Sequence, residues 1–208
     1  MFQTIRSMTA GGRENPLRLL DIGCSSGALM RSALQYGFDV EGVEPATRAA
    51  QTAQAAGLKV TAGYLQEVAY PSETFDAATM MEVIEHLPAA GDLLREAWRI
   101  LKPAGVLVVG TGNAASWTVT FMGGQWDYFQ VGRHGGHISF FNPDSLGLLA
   151  SRSGFRLERI ETRHVRFKES YQASRPVYRG LKVLGELLNG PARLLGKGHD
   201  MLAFARKV

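Results

Sequence analysis

Short apolar runs alternate with helix-patterned segments through the first half of this chain, and that alternation restricts the fold more than any other feature. Leu17-Arg18-Leu19-Leu20-Asp21-Ile22 reads as a buried strand, followed by a glycine and serine turn and a helix from about Ala28 to Tyr36. Phe38 to Val43 is a second strand, Ala46 to Ala56 a helix, Leu58 to Ala62 a third strand and Phe75 to Met81 a fourth. Asp92 to Leu101 sets Leu93, Leu94, Ala97, Trp98 and Leu101 on one side of a helix. Pro103-Ala104-Gly105 then turns the chain into the strand Val106-Leu107-Val108-Val109. Strand and helix in strict succession imply right-handed crossovers and a parallel sheet covered on both faces. The predicted class is α/β, a Rossmann-like doubly wound sheet.

Beyond Thr111 the rhythm breaks. Residues 112–142 are rich in glycine and aromatic side chains, among them Trp117, Phe121, Trp126, Tyr128 and Phe129. A segment of this length inside a compact domain is usually functional. It reads either as a substrate-lid insertion, with glycines permitting movement, or as a loop packing its rings into a second small core. Asn142-Pro143-Asp144 starts a helix that ends near Gly154, Phe155 to Val165 alternates like a strand, and Met201 to Arg206 closes the sheet. Residues 166–198 form a basic amphipathic insertion before that last strand, with Val177, Leu181, Leu184 and Leu188 on one helical face and Gly190-Pro191 breaking it. The 208 residues are expected to form one domain, 1–208.

Charge is unevenly placed. Of a net +4, the stretch from Arg163 to the end carries +7 and the remainder −3. Nucleic acid is therefore not an expected partner of the mildly acidic catalytic part, and any polyanion contact belongs to the tail. The tail's apolar face suits peripheral contact with an anionic membrane surface, packing on its own domain, or a homodimer mate. Cys24, the sole cysteine, can form no intramolecular disulfide, which suits a reducing compartment. Met1 to Pro16 lacks a signal-peptide core and no run of about 18 apolar residues occurs, so the expected location is cytoplasmic.

The turn Asp21-Ile22-Gly23-Cys24-Ser25-Ser26-Gly27 lies between a strand and a helix, where unpaired backbone N–H groups and the positive helix end favour a carboxylate or phosphate. Gly23 lets the chain turn beside a ligand and Gly27 lets helix and strand approach. Glu44, ending the second strand, can accept both hydroxyls of a ribose, or it can be an ordinary cap before the next helix. Asp21 can equally serve as a cap of its loop. Cys24 reads as a small buried side chain rather than a nucleophile, with no neighbouring His or Lys in sequence to lower its pKa.

Leu19-Leu20-Asp21-Ile22-Gly23-Cys24-Ser25-Ser26-Gly27 resembles motif I of class I S-adenosylmethionine-dependent methyltransferases. Val43-Glu44-Pro45, Phe75-Asp76-Ala77-Ala78, Met81-Glu82-Val83-Ile84-Glu85-His86-Leu87, Leu101-Lys102-Pro103-Ala104-Gly105, and His137-Ile138-Ser139-Phe140-Phe141-Asn142-Pro143 follow in the family's order, ending in Gly154-Phe155. The chain is most similar to the ubiquinone-biosynthesis O-methyltransferase-like branch, over about residues 17–163. The resemblance implies seven strands in the order 3-2-1-4-5-7-6, the last antiparallel, and S-adenosylmethionine as cofactor. It places Asp21, Gly23, Cys24 and Gly27 around the methionine part, Glu44 on the ribose, Tyr64 and Leu65 beside adenine, and Met81 and Glu82 in the cleft wall. Three positions depart from the family. Ser25 replaces a usual glycine, so its turn is expected to need no positive φ. Tyr64 replaces a frequent Asp, leaving adenine to stacking and backbone contacts. Ala104 replaces a glycine far from the chemistry.

The implied activity is methyl transfer to an oxygen of a small-molecule acceptor, a phenol, quinone precursor or sugar. A cofactor-binding regulatory or assembly protein without transferase activity fits the same motifs. In-line methyl displacement needs alignment, and a hydroxyl acceptor also needs a base or a metal to take its proton. His137, His86 and His134 are the candidate catalytic residues; no metal-ligand set is read from the sequence.

Overall fold

The structure, a computed structural model, describes residues 1–9, 16–129, 136–167 and 174–208. Seven strands form one sheet: β1 (Arg18–Ile22), β2 (Asp39–Glu44), β3 (Val60–Ala62), β4 (Phe75–Met81), β5 (Leu101–Gly112), β6 (Phe155–Arg163) and β7 (Asp200–Lys207). Their order is β3-β2-β1-β4-β5-β7-β6. The first five run parallel, and β7 lies antiparallel to both β5 and β6. The fold class is as the sequence pattern predicted, and the strand order and antiparallel last strand are those the family resemblance implied.

Period-two alternation on strands buried from both sides builds two cores. Leu20, Ile22, Ala78, Met80, Leu107 and Val109 face one way, beneath α5 (Ala90–Ile100) and α7 (Pro143–Arg152). Leu19, Ala77, Val106 and Val108 face the other, beneath α2 (Ala28–Gln35) and α3 (Thr47–Ala55). Asn142 caps α7 by accepting from the Ser145 N–H at 2.8 Å, with Pro143 in the first turn.

Four features depart from the sequence-based expectation. Helix α1 (Phe2–Thr9) precedes the first strand, burying Phe2 and Ile5 and setting Phe2 against the rings of Tyr36 and Phe38. A short helix α4 (Leu65–Val68) follows β3. β5 begins at Leu101 rather than Val106: Pro103-Ala104-Gly105 is a bulge within it, as the register shift against β4 shows, and a bulge tolerates proline. Finally, α8 (Arg175–Leu194) runs through Gly190-Pro191 without breaking. Pro191 lies in the last turns, where its missing N–H costs one bond and tertiary packing of Ala192 holds the helix on course. Among the described residues no helix is long and apolar enough to cross a membrane.

Candidate functional site

β1 stops at Ile22 because the next peptides bend away from the sheet. The N–H groups of Gly23 and Cys24 both donate to the Val43 carbonyl, at 2.8 and 3.2 Å. Gly23 has φ +72°, and a Cβ there would meet Val83 Cγ2 at 2.5 Å; Gly27 has φ +79° and lies against Leu58. Only glycine fits either place without displacement. Ser25 does adopt positive φ, 49°, contrary to the expectation from its side chain. Its N–H donates to Glu44 Oε2 at 2.8 Å, and this charge-assisted bond holds the left-handed conformation at a cost of about 1 kcal/mol.

The turn forms one wall of a cleft of about 620 Å³ at the carboxyl ends of β1, β2 and β4, well within the range of small-molecule sites. Glu44, Tyr64, Leu65, Met81 and Glu82, five of the residues expected around the cofactor, line it together with Gly23. Ser25, Pro45, Gly63, Gln66, Val83, Leu87 and Leu93 complete much of the lining. The Glu44 carboxylate spends one oxygen on the Ser25 N–H and the other on the Ala46 N–H, both at 2.8 Å. A carboxylate has about four acceptor positions, so each oxygen can still take a hydroxyl. Fixed on both sides, it holds its remaining acceptor positions in a set orientation at the cleft. The Gly23 bend, that carboxylate and the apolar floor of Ile22, Val43 and Leu65 thus fit a nucleoside with an amino-acid tail.

Three predicted residues stand outside the lining of this cleft. Asp21 is buried beneath the turn and accepts from the Thr79 hydroxyl at 2.7 Å. Burial raises its pKa to about 7, against the lowering effect of Thr79, with Glu44 adding repulsion. Cys24 points its sulfur toward Gly42 and Met30 in the core. Burial and the Asp21 and Glu44 charges push its thiol up to about 12, so it is inert as a nucleophile. Gly27 begins α2 and serves helix packing.

A second cavity of about 490 Å³ adjoins the first, and Glu82 and His86 line both. Tyr128, His137, Arg166, His199 and Asp200 form its other sides. Glu82 has φ 54°, an unusual conformation for a non-glycine residue, fixed by its N–H bond to the Gly110 carbonyl at 2.9 Å. Its carboxylate accepts from the Tyr128 hydroxyl. Burial raises Glu82 to about 7 with repulsion from Glu85 adding to it, while the Tyr128 bond pulls downward. Burial likewise raises Glu85 and Tyr128 above their ordinary values.

The segment after the aromatic insertion is tied down by the Ile138 and Ser139 N–H groups, which donate to the Glu85 carbonyl at 2.9 and 3.1 Å. That brings His137 against His86 (ring centroids 4.6 Å) and Tyr128 (4.7 Å). His137 Nδ1 lies 3.0 Å from the Tyr128 carbonyl oxygen, which can only accept, so Nδ1 carries the proton and Nε2 is the basic nitrogen. Ligand atoms of Glu85, His86 and His137 all lie within 4.8 Å of one another. Among the described residues Glu85 Oε1 is buried without a hydrogen-bond donor, beside the Glu82 carboxylate, and a carboxylate with two imidazoles suits a divalent transition metal. His134 lies outside the described residues.

Trp126 is fully buried, stacked on Tyr128 at 4.8 Å and met edge-on by Phe129. Its indole N–H donates to His199 Nδ1 at 3.3 Å. The described part of residues 112–142 therefore contains a packed aromatic cluster roofing the second cavity, and a helix α6 (Trp117–Met122). Arg166, His199 and Asp200 were missed by sequence reasoning. They sit just beyond the end of β6 and at the start of β7, after the last of the family-like segments, and reach the cavity through the antiparallel closure of β5, β7 and β6.

Residues 3–160 match the family described as "Methyltransferase domain". The ubiquinone biosynthesis O-methyltransferase of Azorhizobium caulinodans is 32% identical over 154 residues, covering 69% of this chain and 60% of that protein. Its Bradyrhizobium sp. counterpart is 34% identical over 142 residues, covering 62% and 54%. The matched stretch thus spans less than two thirds of either relative. Among solved structures, an S-adenosylmethionine dependent methyltransferase from Mesorhizobium loti superposes with a TM-score of 0.67 at 19% identity, covering 99% of this chain and 96% of that one, a likeness of fold.

Proposed function

The chain belongs to the methyltransferase family, and from that premise we propose that it transfers a methyl group from S-adenosylmethionine to an oxygen of a small molecule, a phenol, quinone precursor or sugar. One observation carries the reading: the nucleoside-sized cleft and a second cavity containing a basic histidine meet at two shared residues, Glu82 and His86. A donor in the first and an acceptor in the second would then lie against the same two side chains.

The cofactor supplies a methyl group already activated on a sulfonium. What remains for the chain is to bind, align and deprotonate. Glu44 holds the ribose from a carboxylate locked by two amides, and Tyr64 and Leu65 flank the base. Gly23 allows the amino-acid part close to the backbone, above Asp21. Glu82, when ionised, places a carboxylate between the two cavities, where it favours a cationic donor group. His137, oriented through Nδ1 by the Tyr128 carbonyl, takes the acceptor's hydroxyl proton on Nε2. The Tyr128 ring, stacked on Trp126, forms an aromatic side of the second cavity. The names of the relatives support an oxygen acceptor of the quinone-precursor kind.

Tritium transfer from methyl-labelled S-adenosylmethionine into dihydroxyphenols, sugars and cell extract, with S-adenosylhomocysteine calorimetry alongside, tests this. Label in a phenol and micromolar binding are expected. Binding without transfer to any acceptor would instead favour a regulatory or assembly role. His137→Gln should lower turnover by roughly 100-fold or more while leaving S-adenosylhomocysteine affinity within about twofold. Parallel assays with EDTA separate general-base from metal-assisted deprotonation by the same cluster.

A further inference from the structure

Helix α8 is apolar over more of its circumference than the domain covers. Its inner seam is narrow: Gly185 and Ala192 are buried, and Leu181 and Leu188 are partly so. Gly185 lies so close to the chain that a Cβ would meet the Val165 carbonyl oxygen at 2.4 Å, and the Val165 N–H donates to Asn189 Oδ1 at 2.7 Å. These contacts fix the helix's rotation about its axis. They leave Val183, Leu187 and Leu194 along one outward edge, with Val177, Leu184 and Leu195 beside them. Leu187 is 72% and Leu194 89% exposed, and with their neighbours they form a continuous apolar edge rather than scattered single residues.

The next sector of the helix is basic. Arg175, Arg179, Lys182 and Arg193 are exposed and follow one another along it, interrupted only by Glu186. Among the described residues Arg175, Arg179 and Lys182 form no ion pair. An outward leucine edge flanked by a row of cations is the arrangement of a helix lying in the plane of an anionic lipid surface, acyl chains against the leucines and phosphates against the arginines.

The same face continues to the acceptor cavity. Arg166 borders both that cavity and the groove under α8, and its N–H donates to Thr118 Oγ1 of α6 at 3.1 Å. Phe121 of α6, 65% exposed, packs on Phe167 at 5.3 Å. We propose that α8, with Phe121 at its margin, docks the protein on an anionic membrane surface and so presents the Arg166 side of the acceptor cavity to molecules held there. The docking stands on α8 alone and does not depend on the methyl-transfer reading.

Co-sedimentation of the full chain with phosphatidylglycerol/phosphatidylcholine vesicles at low salt is the test. Partition should fall steeply with added salt and be weak on pure phosphatidylcholine. Leu187→Glu and Leu194→Glu should each lower it about tenfold or more, and the triple variant Arg175→Ser, Arg179→Ser, Lys182→Ser should do so on anionic vesicles only. Circular dichroism and S-adenosylhomocysteine calorimetry, both expected unchanged, verify that each variant is folded with its cofactor cleft intact. No binding to anionic vesicles, equal binding to neutral ones, or binding indifferent to both leucine substitutions would overturn the proposal. So would light scattering that shows a dimer in solution which Leu187→Glu dissociates.

Discussion

The Tyr128 hydroxyl donates to the Glu82 carboxylate at the junction of the two cavities, joining the aromatic insertion to the end of β4. Burial works against an ionised Glu82, and this donor is the contact that works for it. Tyr128→Phe keeps the stacked ring, so thermal stability should change little. Glu82 then loses a charge-assisted bond, and its protonation should shift upward by about one pH unit. If ionised Glu82 supports the reaction, the acidic limb of the pH–rate profile moves up by the same amount. A profile superposable on that of the parent protein would remove Glu82 from the working charge of the site.

Glu44 has two tasks, holding the turn through the Ser25 and Ala46 amides and presenting lone pairs to the cleft. Glu44→Gln is close in shape, yet its NH₂ must face one of those N–H groups, donor against donor. Affinity for S-adenosylhomocysteine should drop roughly 10- to 100-fold, with a lowered melting temperature from the unmatched buried amide. Calorimetry and thermal unfolding read the two effects separately. Unaltered affinity would mean that the ribose is held elsewhere.

Asp21 makes the site sensitive to pH. Its folded pKa of about 7 lies above the ordinary 3.8 of an aspartate, because burial disfavours the charge. The folded form therefore retains a proton that the unfolded chain releases. The contribution to stability is fully present below about pH 4 and declines as pH rises to about 7, the reverse of a salt-bridged carboxylate. A cationic ammonium above the turn would favour the carboxylate. Cofactor binding near pH 6 should then release a proton, and affinity should rise toward pH 8. Calorimetry in two buffers of different ionisation enthalpy measures the release; identical heats would show Asp21 uncoupled from the ligand.

The α/β alternation was legible because each buried strand carries its own period, and Phe75 to Met81 stands where the sequence placed it. Gly23 and Glu44 were legible because strand, turn and acid follow one another within a single β-α-β unit. Arg166, His199 and Asp200 were not, since only the pairing of Asp200 with Gly112 across β5 and β7 brings them to the cavity. Helix α1 escaped because eight residues with two buried side chains make too brief a pattern. Ser25 misled because its side chain implies an ordinary φ, while a partner 19 residues away imposes the unusual one.

Ala104 shows the same conformation without Ser25's compensation. Its φ is 61° in the exposed bulge at the start of β5, where the family has glycine. Its carbonyl accepts from Arg206 Nη1 at 3.1 Å, a bond any residue could provide. An alanine Cβ in the left-handed region costs about 1–2 kcal/mol, whereas glycine there loses roughly 0.5–1 kcal/mol through the greater freedom of the unfolded chain. Ala104→Gly should therefore stabilise the protein by roughly 0.5–1 kcal/mol, raising the urea midpoint with no change in slope. The bulge lies at the opposite end of β5 from Gly110 and Gly112, which border the site, so cofactor affinity should stay as it is. A destabilised Ala104→Gly protein would mean that the alanine methyl makes a contact worth more than the backbone strain it carries.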